Sequence, residues 1–404
     1  MKTPIPVYLS TPALTSALGS GLTQHITALL DPPVHSPLTF DNQMIKGKKL
    51  AFGKVNETLR SFPEEGLPEH HKSRTNQLLW HALAQMEAQI QVAKQRYGAH
   101  RIAVVLGTST SGVDENIPMY QQAANGVDWA HLSFNQAQNV LSAPADFVAE
   151  VYGLSNLCYV VSTACTSGAR ALISAARLLR AGLCDAVICG GVDTLSPLTI
   201  NGFAALEVLS NELSNPFSVN RNGINIGEAA AVFIMTRDAD FDAHALQLLA
   251  YGSSSDAHHM STPRPDGLGA IQAFQAALTQ ADLQAQDIAW INLHGTGTVH
   301  NDSMESIAVA QVFGTQTPCT STKPLTGHTL GAAGAIEAAF AWGVASSHHN
   351  PQARLPPQIW DGIRDNKLPE IHLTDKTSKW QTEKRIVASS SFAFGGNNAV
   401  LIIG

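Results

Sequence analysis

One cysteine lies where a strand pattern meets a helix pattern. The apolar, β-branched run Tyr159–Val161 gives way to small residues before Cys165, and a helical pattern begins at Ser167 and Gly168. A helix N-terminus offers unpaired N–H groups and the positive end of a dipole, which favour a thiolate over a thiol. The small neighbours of Cys165 leave space for a substrate. A buried structural cysteine is the competing interpretation, because most free cysteines are of that kind.

Three further reactive side chains lie in loops too small and glycine-rich for ordinary packing. His294 lies in NLHGTGT, Lys323 and His328 share TKPLTGHTLGAAGA, and a last loop reads FAFGG. Both histidines end apolar runs and are followed by Gly or Thr, which separates them from the other histidines among the 16 of the chain. A cysteine with two histidines is also a zinc ligand set. Because these three residues lack short metal-binding spacing, the sequence predicts no metal site.

Alternating strands and helices are expected to position these loops. Buried strands are predicted at Arg101–Leu106, Asp185–Cys189, Ala229–Met235 and Ile288–Leu293. One helix is predicted at Leu22–Leu30, and a second begins after the N-cap Ser73 and has Leu79, Leu83, Met86 and Ile90 on one face. Further helices are predicted at Pro144–Tyr152, from Ser167 onward, and at Leu330–Trp342.

Strand, reactive loop and helix recur after a polar stretch near Arg237–His244. A chain of 404 residues is also longer than one hydrophobic core usually serves. We therefore predict an α/β protein with two similar halves, residues 1–240 with the cysteine and residues 241–404 with the two histidines.

Composition restricts the class of protein. The chain is 44% hydrophobic and 14% charged, which is typical of a soluble globular protein. No run approaches 18 apolar residues and no signal-peptide pattern occurs, so neither a membrane span nor secretion is predicted. Five cysteines without paired spacing indicate a reducing compartment, and we expect a cytoplasmic enzyme. The net charge of -7 argues against nucleic acid as the main partner.

Four motifs in order carry a resemblance. TACTSGA, HGTGT, TKPLTGH followed by GAAGAIEA, and SFAFGGNNA together resemble the β-ketoacyl-acyl carrier protein synthases, and more closely the elongating, decarboxylating type of the thiolase superfamily. A further match, SDAHHMSTPRPDG, lies between the halves. The resemblance runs from about residue 101 to the C-terminus and is weak before residue 70. It implies a thiolase-like layered αβαβα fold of two pseudo-symmetric halves.

The resemblance also implies a reaction. Cys165 would hold an acyl chain as a thioester, and the backbone N–H groups of Cys165 and Phe394 would form an oxyanion hole. His294 and His328 would bind the thioester carbonyl of the incoming malonyl unit. Loss of carbon dioxide would then generate the carbanion that attacks the acyl-cysteine and lengthens the chain by two carbons.

Supporting roles follow from the same resemblance. Lys323 would belong to a network with Glu337, with Asp302 and Glu305 as further candidates, although Glu305 could equally be a solvated residue on a helix face. Thr296 and Thr298 would bind the pantetheine arm, unless they serve only the turn. The last loop, with Phe392 and Gly395, would gate the acyl pocket.

Two stretches depart from the elongating enzymes. Val299-His300-Asn301 occupies positions where proline and glycine are usual, and SVNRNGINIGEAAA replaces a GFVLGDGAG-like run. Both could reshape the substrate pocket, and they indicate a specialised synthase, such as one that extends an aryl polyene or another secondary-metabolite chain, besides ordinary fatty acid elongation. A thiolase is disfavoured because the last loop lacks a second cysteine, and an initiating synthase because His328 is not asparagine. A non-catalytic partner subunit like a chain-length factor stays as the alternative, although such subunits usually lack the nucleophile.

Partners also follow from the resemblance. It implies acyl- and malonyl-loaded acyl carrier protein, no cofactor, and a homodimer or a heterodimer with a related synthase subunit. Because carrier proteins are acidic, docking would need a local basic patch on this acidic chain. Lys72 and Arg74 are candidates, with Lys46, Lys48 and Lys49 as additional ones, unless these side chains form only a solvated face.

Overall fold

The structure, a computed structural model, describes residues 5–63 and 65–404. Its strands, numbered along the chain, are β1 Tyr8–Leu9, β2 Ala13–Ser16, β3 Gly19–Ser20, β4 Thr39–Asp41, β5 Leu50–Phe52, β6 Ile102–Gly107, β7 Cys158–Val161, β8 Ala186–Asp193, β9 Ala229–Thr236, β10 Leu246–Ser255, β11 Trp290–Leu293, β12 Pro318–Ser321, β13 His372–Leu373, β14 Val387–Phe392 and β15 Asn397–Ile403. Its α-helices are α1 Leu22–Leu30, α2 Arg74–Leu83, α3 Glu87–Tyr97, α4 Ile117–Ala124, α5 Gln136–Asn139, α6 Ala143–Tyr152, α7 Ser167–Arg180, α8 Pro197–Ala205, α9 Leu268–Ala281, α10 Val299–Phe313, α11 Lys323–Thr326 and α12 Ala333–Ala345.

Two sets of five strands repeat one topology. In the first set, β6 pairs in parallel with β7 and β8, β8 pairs antiparallel with β9, and β9 pairs antiparallel with β2. In the second set, β11 pairs in parallel with β12 and β14, β14 pairs antiparallel with β15, and β15 pairs antiparallel with β10. The short strand β1 lies between β9 and β10 and joins both sets into one hydrogen-bonded sheet. The strand order is therefore the same in each half.

Two helices fill the centre of the molecule. Helix α7 follows β7 and helix α12 follows β12, and each contacts the other and strands of both sets. A side chain on Gly168 would reach 2.6 Å from the backbone nitrogen of Ala335, and one on Gly334 would reach 2.6 Å from that of Ala169. The helices thus cross at two reciprocal glycines, where only hydrogen fits between the backbones.

The remaining large helices cover the outer faces of the sheet. Helices α2, α3 and α6 contact the first strand set, and α9 contacts the second while packing against α10. One apolar cluster surrounds α7 and α12, and separate clusters lie under each outer layer. The order helix, sheet, helix, sheet, helix confirms the predicted α/β class and the layered αβαβα arrangement of two pseudo-symmetric halves. The exact division between residues 240 and 241 stays a prediction.

Local predictions agree with these elements, with one difference. The helix at Leu22–Leu30 is confirmed, and the side chain of Ser73 caps α2 by accepting the backbone N–H of Asn76. The long helix expected after Ser73 is instead divided by a 3₁₀ turn at Ala84–Met86. In that turn the amide side chain of Gln85 exchanges two 3.1 Å hydrogen bonds with the backbone of Leu14, a tertiary contact that helical periodicity does not reveal. Among the described residues, no helix is long and apolar enough to cross a membrane.

Candidate active site

Cys165 lies at a sharp turn between strand β7 and helix α7. Ala164, just before it, has a φ of 51°, a left-handed conformation that costs an alanine roughly 1 kcal/mol. The hydroxyl of Ser167 stabilises this turn because it accepts the N–H of Thr163 and donates to the carbonyl of Ala164. The turn directs the thiol into a pocket at the end of the strand.

The thiol of Cys165 contacts His328. Its Sγ lies 3.0 Å from Nε2 of His328. Burial raises the pKa of the Cys165 thiol to about 12, while the nearby ammonium of Lys323 acts in the opposite direction. Burial, followed by the charge of Lys323, holds the pKa of His328 well below 6.5. The expected thiolate is therefore not the resting form, since burial outweighs the charge of Lys323, and the resting pair is a neutral thiol beside a neutral imidazole.

His294 is positioned by a buried ion pair behind it. Nζ of Lys323 lies 2.5 Å from the carbonyl oxygen and 3.3 Å from Nδ1 of His294. The same ammonium lies 2.5 Å from Oε1 of Glu337, and both side chains are 3% exposed. Burial, followed by Lys323 and His328, lowers the pKa of His294 well below 6.5. Because an ammonium can only donate, Nδ1 must accept, and the ring proton lies on Nε2.

Two buried carboxylates hold the loop that carries His294. Glu305 accepts the N–H groups of His294 and Gly295 at 2.8 and 2.7 Å, and Asp302 accepts those of Gly297 and Phe217 at 3.2 and 2.8 Å. Both side chains are fully buried, so the solvated interpretation of Glu305 is wrong. Burial raises the pKa of Glu305 to about 7.

Both threonines of the histidine loop lie in the same pocket as Cys165. The hydroxyl oxygens of Thr296 and Thr298 are 2.9 Å apart, and Thr298 caps helix α10 by accepting the N–H of Asn301 at 3.3 Å. The helix cap therefore explains one contact of the Thr298 hydroxyl, and the side chains of both threonines still line the pocket that contains the thiol.

The last loop closes the other side of the pocket. The ring of Phe392 packs 5.9 Å from that of His294, and the ring of Phe394 packs 5.7 Å from that of Phe203. Gly395 and Gly396 have φ angles of 81° and 76°, which an L side chain rarely adopts. Within the described residues, the backbone N–H groups of Cys165 and Phe394 donate to no carbonyl outside regular helices and strands, and the N–H of Cys165 contacts only its own sulfur. Neither N–H is therefore held by a carbonyl, as a donor in an oxyanion hole requires.

Apolar side chains complete the pocket around the thiol and the two imidazoles. Phe203, Val208 and Ile224 line it together with Phe392 and Phe394. Such a lining suits an acyl chain better than a polar substrate.

The ligand atoms of Cys165, His294 and His328 lie within 4.8 Å of one another. Sequence spacing was therefore a poor reason to exclude zinc, since the fold gathers distant residues. The chemistry of the site argues against a cation more directly, because the ammonium of Lys323 lies 3.3 Å from one of the three candidate ligands.

Asp193 is a buried residue that the sequence analysis missed. At the end of β8 its carboxylate accepts the hydroxyl of Thr108 and the N–H groups of Ser109 and Gly331, at 2.6, 2.9 and 2.6 Å. It connects the loop at the end of β6, residues 107–112, to the turn after His328. Its signal in the sequence is faint, a single acidic residue at the end of an apolar strand.

Comparisons with known proteins agree with this geometry. The family described as Beta-ketoacyl synthase, N-terminal domain, matches residues 72–240, and Beta-ketoacyl synthase, C-terminal domain, matches residues 246–349. The putative mitochondrial 3-oxoacyl-acyl-carrier-protein synthase of Schizosaccharomyces pombe is 32% identical in a match that covers 65% of this chain and 65% of that protein.

Two other matches cover most of the chain. Nodulation protein E of Rhizobium leguminosarum bv. trifolii is 31% identical over 86% of this chain and 87% of its own length. A chain from the complex of the ketosynthase ApeO with its chain length factor ApeC, from Xenorhabdus doucetiae, has a TM-score of 0.89 and 41% identity, covering 99% of this chain and 98% of that one. By motifs, fold and similarity over most of its length, the chain belongs to the β-ketoacyl synthase family.

Proposed function

We propose that this chain is a β-ketoacyl-acyl carrier protein synthase, an acyltransferase that forms a carbon–carbon bond by decarboxylative condensation. One observation carries the proposal: a thiol and two neutral imidazoles lie within 4.8 Å of one another in an apolar pocket. Its substrates would be an acyl chain and a malonyl unit, each delivered on a carrier protein.

In the first half-reaction Cys165 takes the acyl chain. The thiol gives its proton to Nε2 of His328, 3.0 Å away, and sulfur attacks the thioester carbonyl. The free N–H groups of Cys165 and Phe394 stabilise the oxyanion that forms. When the carbon–sulfur bond to the carrier breaks, the imidazolium of His328 returns the proton to the leaving thiolate.

In the second half-reaction the two histidines bind the malonyl thioester carbonyl. Loss of carbon dioxide leaves an enolate, whose oxygen accepts the N–H groups of His294 and His328. The enolate carbon attacks the acyl-cysteine and releases the lengthened β-ketoacyl thioester. The cysteine thiolate then regains a proton.

The two imidazoles differ in how their tautomers are set. Lys323 holds His294 with its proton on Nε2, as a donor only. Nδ1 of His328 is buried and has no hydrogen-bond partner among the described residues, so its contacts favour neither tautomer. His328 can therefore accept a proton in the first half-reaction and donate in the second, which both steps require.

We further propose a specialised substrate, such as an aryl polyene or polyketide-like chain, over primary fatty acids. His300, Asn301 and Ile224, from the two stretches that depart from the elongating enzymes, line the pocket. The solved complex of a related ketosynthase with a chain length factor supports a second, related subunit for this chain. A purely non-catalytic role is disfavoured because the thiol is present and its sulfur and the two imidazoles lie within 4.8 Å of one another.

The test is the Cys165→Ala variant, with Cys158→Ala as the matched control because Cys158 lies outside the pocket. Each protein is incubated with octanoyl-carrier protein and then with malonyl-carrier protein. Mass spectrometry of the intact protein should show an octanoyl adduct on the control and none on Cys165→Ala, and condensation should fall at least about 10³-fold. An unchanged adduct or unchanged elongation in Cys165→Ala would contradict the proposal.

A further inference from the structure

A hairpin near the N-terminus carries positive charge in an acidic chain. Strands β4 and β5 pair antiparallel, and residues 39–54, here called the lysine hairpin, contain four lysines and one aspartate. This gives a local charge of +3 (four minus one) within a chain of net charge -7. The four lysines are exposed: Lys46, Lys48, Lys49 and Lys54. None of them forms an ion pair among the residues that the structure describes.

The two basic residues that the sequence favoured for docking are already paired. Lys72 lies 2.8 Å from Glu69, and Arg74 lies 2.8 Å from the buried carboxylate of Glu228. A partner would have to replace these contacts to use either charge. Of the basic candidates from the sequence, those on the lysine hairpin are the ones that form no ion pair within the described residues. The choice between the two sets stays a prediction.

The inner face of the lysine hairpin packs against the wall of the active-site pocket. Leu50 and Phe52 belong to one apolar cluster with Ile224, and Phe203 and Val208 pack against that cluster. Ile224, Phe203 and Val208 also line the pocket beside Cys165. A single layer of side chains thus separates the hairpin from the pocket.

Backbone hydrogen bonds continue from the hairpin to the catalytic centre. The N–H of Gly53 donates to the carbonyl of Ile226 at 2.9 Å, and the N–H of Gly227 donates to that of His328 at 2.9 Å. A side chain on Gly53 or Gly227 would collide with the carbonyl oxygen of Thr326. The strand end of the hairpin is therefore fixed relative to His328 by close backbone packing, and a protein bound there has a defined position relative to the pocket.

We propose that the lysine hairpin is a docking surface for the acidic face of the carrier protein. The proposal rests on the proposed function, since it names the surface that the partner of this site uses. Its physical basis is charge complementarity with an acidic partner, which accelerates association and fixes orientation more than it adds raw affinity. Lys49 contacts the ring of Phe40, 5.8 Å from its Nζ, but no internal ion pair has to break when the lysines of the hairpin meet the carboxylates of a carrier protein.

The test reverses three charges, Lys46→Glu, Lys48→Glu and Lys49→Glu, in the full chain. The matched control reverses three exposed lysines on another surface, Lys376→Glu, Lys379→Glu and Lys384→Glu. Acylation of Cys165 is measured with octanoyl-carrier protein, using an acidic bacterial carrier, and with octanoyl-N-acetylcysteamine, which needs no docking. We expect the ratio of the two kcat/KM values to fall about tenfold or more in the hairpin variant and less than about twofold in the control.

Salt distinguishes charge pairing from an altered pocket. At about 0.5 M NaCl the difference between wild type and hairpin variant should shrink several-fold, because exposed charges are screened. An unchanged ratio at low salt, an equal fall in the control variant, or a defect that ignores salt would overturn the docking proposal. Failure of the wild type to acylate Cys165 with either substrate would instead overturn the proposed function.

Discussion

The two central helices begin in the same way but face different surroundings. Helices α7 and α12 both have glycine as their second residue and a non-glycine residue at positive φ three positions before their start, Ala164 at 51° and Leu330 at 50°. By this register, Gly331 occupies in the second half the position that Cys165 occupies in the first. Cys165 lines a pocket, whereas the N–H of Gly331 donates to the buried carboxylate of Asp193 at 2.6 Å.

The loops around the two positions correspond as well. The turn at the end of β11 brings His294 to Cys165, and the equivalent turn at the end of β6 brings Thr108 to Asp193. On one side a thiol and two imidazoles line a pocket, and on the other a buried acid accepts the hydroxyl of Thr108 and the N–H groups of Ser109 and Gly331. The comparison indicates that the fold provides two similar sites and that side chains alone decide which one is open.

The largest effect is expected from His294→Ala. Removing one donor to the enolate oxygen should lower condensation about 10²–10³-fold, while acylation of Cys165 changes little. Loss of the buried ring should also lower the free energy of unfolding by about 2 kcal/mol. Thr108→Val at the equivalent turn should cost about 1 kcal/mol in stability and leave turnover near normal. Product assays and urea denaturation measure the two quantities. Equal loss of turnover in both variants would show that the second side also takes part in the reaction.

The helix crossing should respond equally from both halves. Gly168→Ala and Gly334→Ala each place a methyl group 2.6 Å from a backbone nitrogen of the opposite helix, and overpacking of this kind should lower the free energy of unfolding by about 1–3 kcal/mol. Gly202→Ala in α8 is the control, since nothing lies within 4 Å of the added carbon. It should stabilise by up to about 1 kcal/mol. A large cost in only one of the two crossing variants would break the proposed equivalence.

Asp193→Asn tests whether the closed side is purely structural. The amide keeps the volume but turns N–H donors toward those of Ser109 and Gly331, so stability should fall by about 2 kcal/mol. Activity per folded molecule should stay within about twofold of wild type, since Asp193 does not line the pocket. Asp240→Asn, at an exposed carboxylate without a hydrogen bond or ion pair within the described residues, should leave both unchanged. A fall in turnover without a fall in the free energy of unfolding would contradict the structural role.

The smallest effect is expected from pH. Burial and Lys323 lower the pKa values of His294 and His328 well below 6.5, so both rings stay neutral as pH falls through 6.5. With octanoyl-N-acetylcysteamine as acyl donor, kcat/KM for acylation should change less than about twofold between pH 7.5 and 6. An acid limb in which the NMR shifts of the His294 and His328 rings titrate would mean that the imidazoles are solvated and the open side less enclosed than the structure has it. A limb near pH 7 without such shifts would instead come from Glu305 and Glu337, because burial raises the pKa of each to about 7.

Much of the site was predictable because its residues lie in short, ordered motifs. Cys165, His294, His328, Thr296 and Phe394 each lie beside glycine or small residues after apolar strands, and the structure places all five around one pocket. The strand ends that carry them were predictable from apolar runs, because the carboxyl ends of parallel strands meet at one edge. The roles of these residues in the reaction stay proposals.

Other features depended on distances that no local pattern encodes. The sequence left Glu305 open between a network and a solvated face, and only its contacts with the His294 loop decided this. Asp193 had no motif, and the charges of Lys72 and Arg74 looked free until Glu69 and Glu228 were found beside them.

The sequence by itself determined which chemical groups are available and the order of strands and helices that presents them. Apolar periodicity, glycine at sharp turns and one cysteine at a strand end were sufficient for that. Only the tertiary structure decided the protonation state of Cys165, the tautomer of His294 and which of the two similar sites is open. These properties depend on burial and on the charges and donors within a few ångströms. Such neighbours are 29 residues apart for Lys323 and His294 and 163 residues apart for His328 and Cys165, beyond the reach of any local pattern.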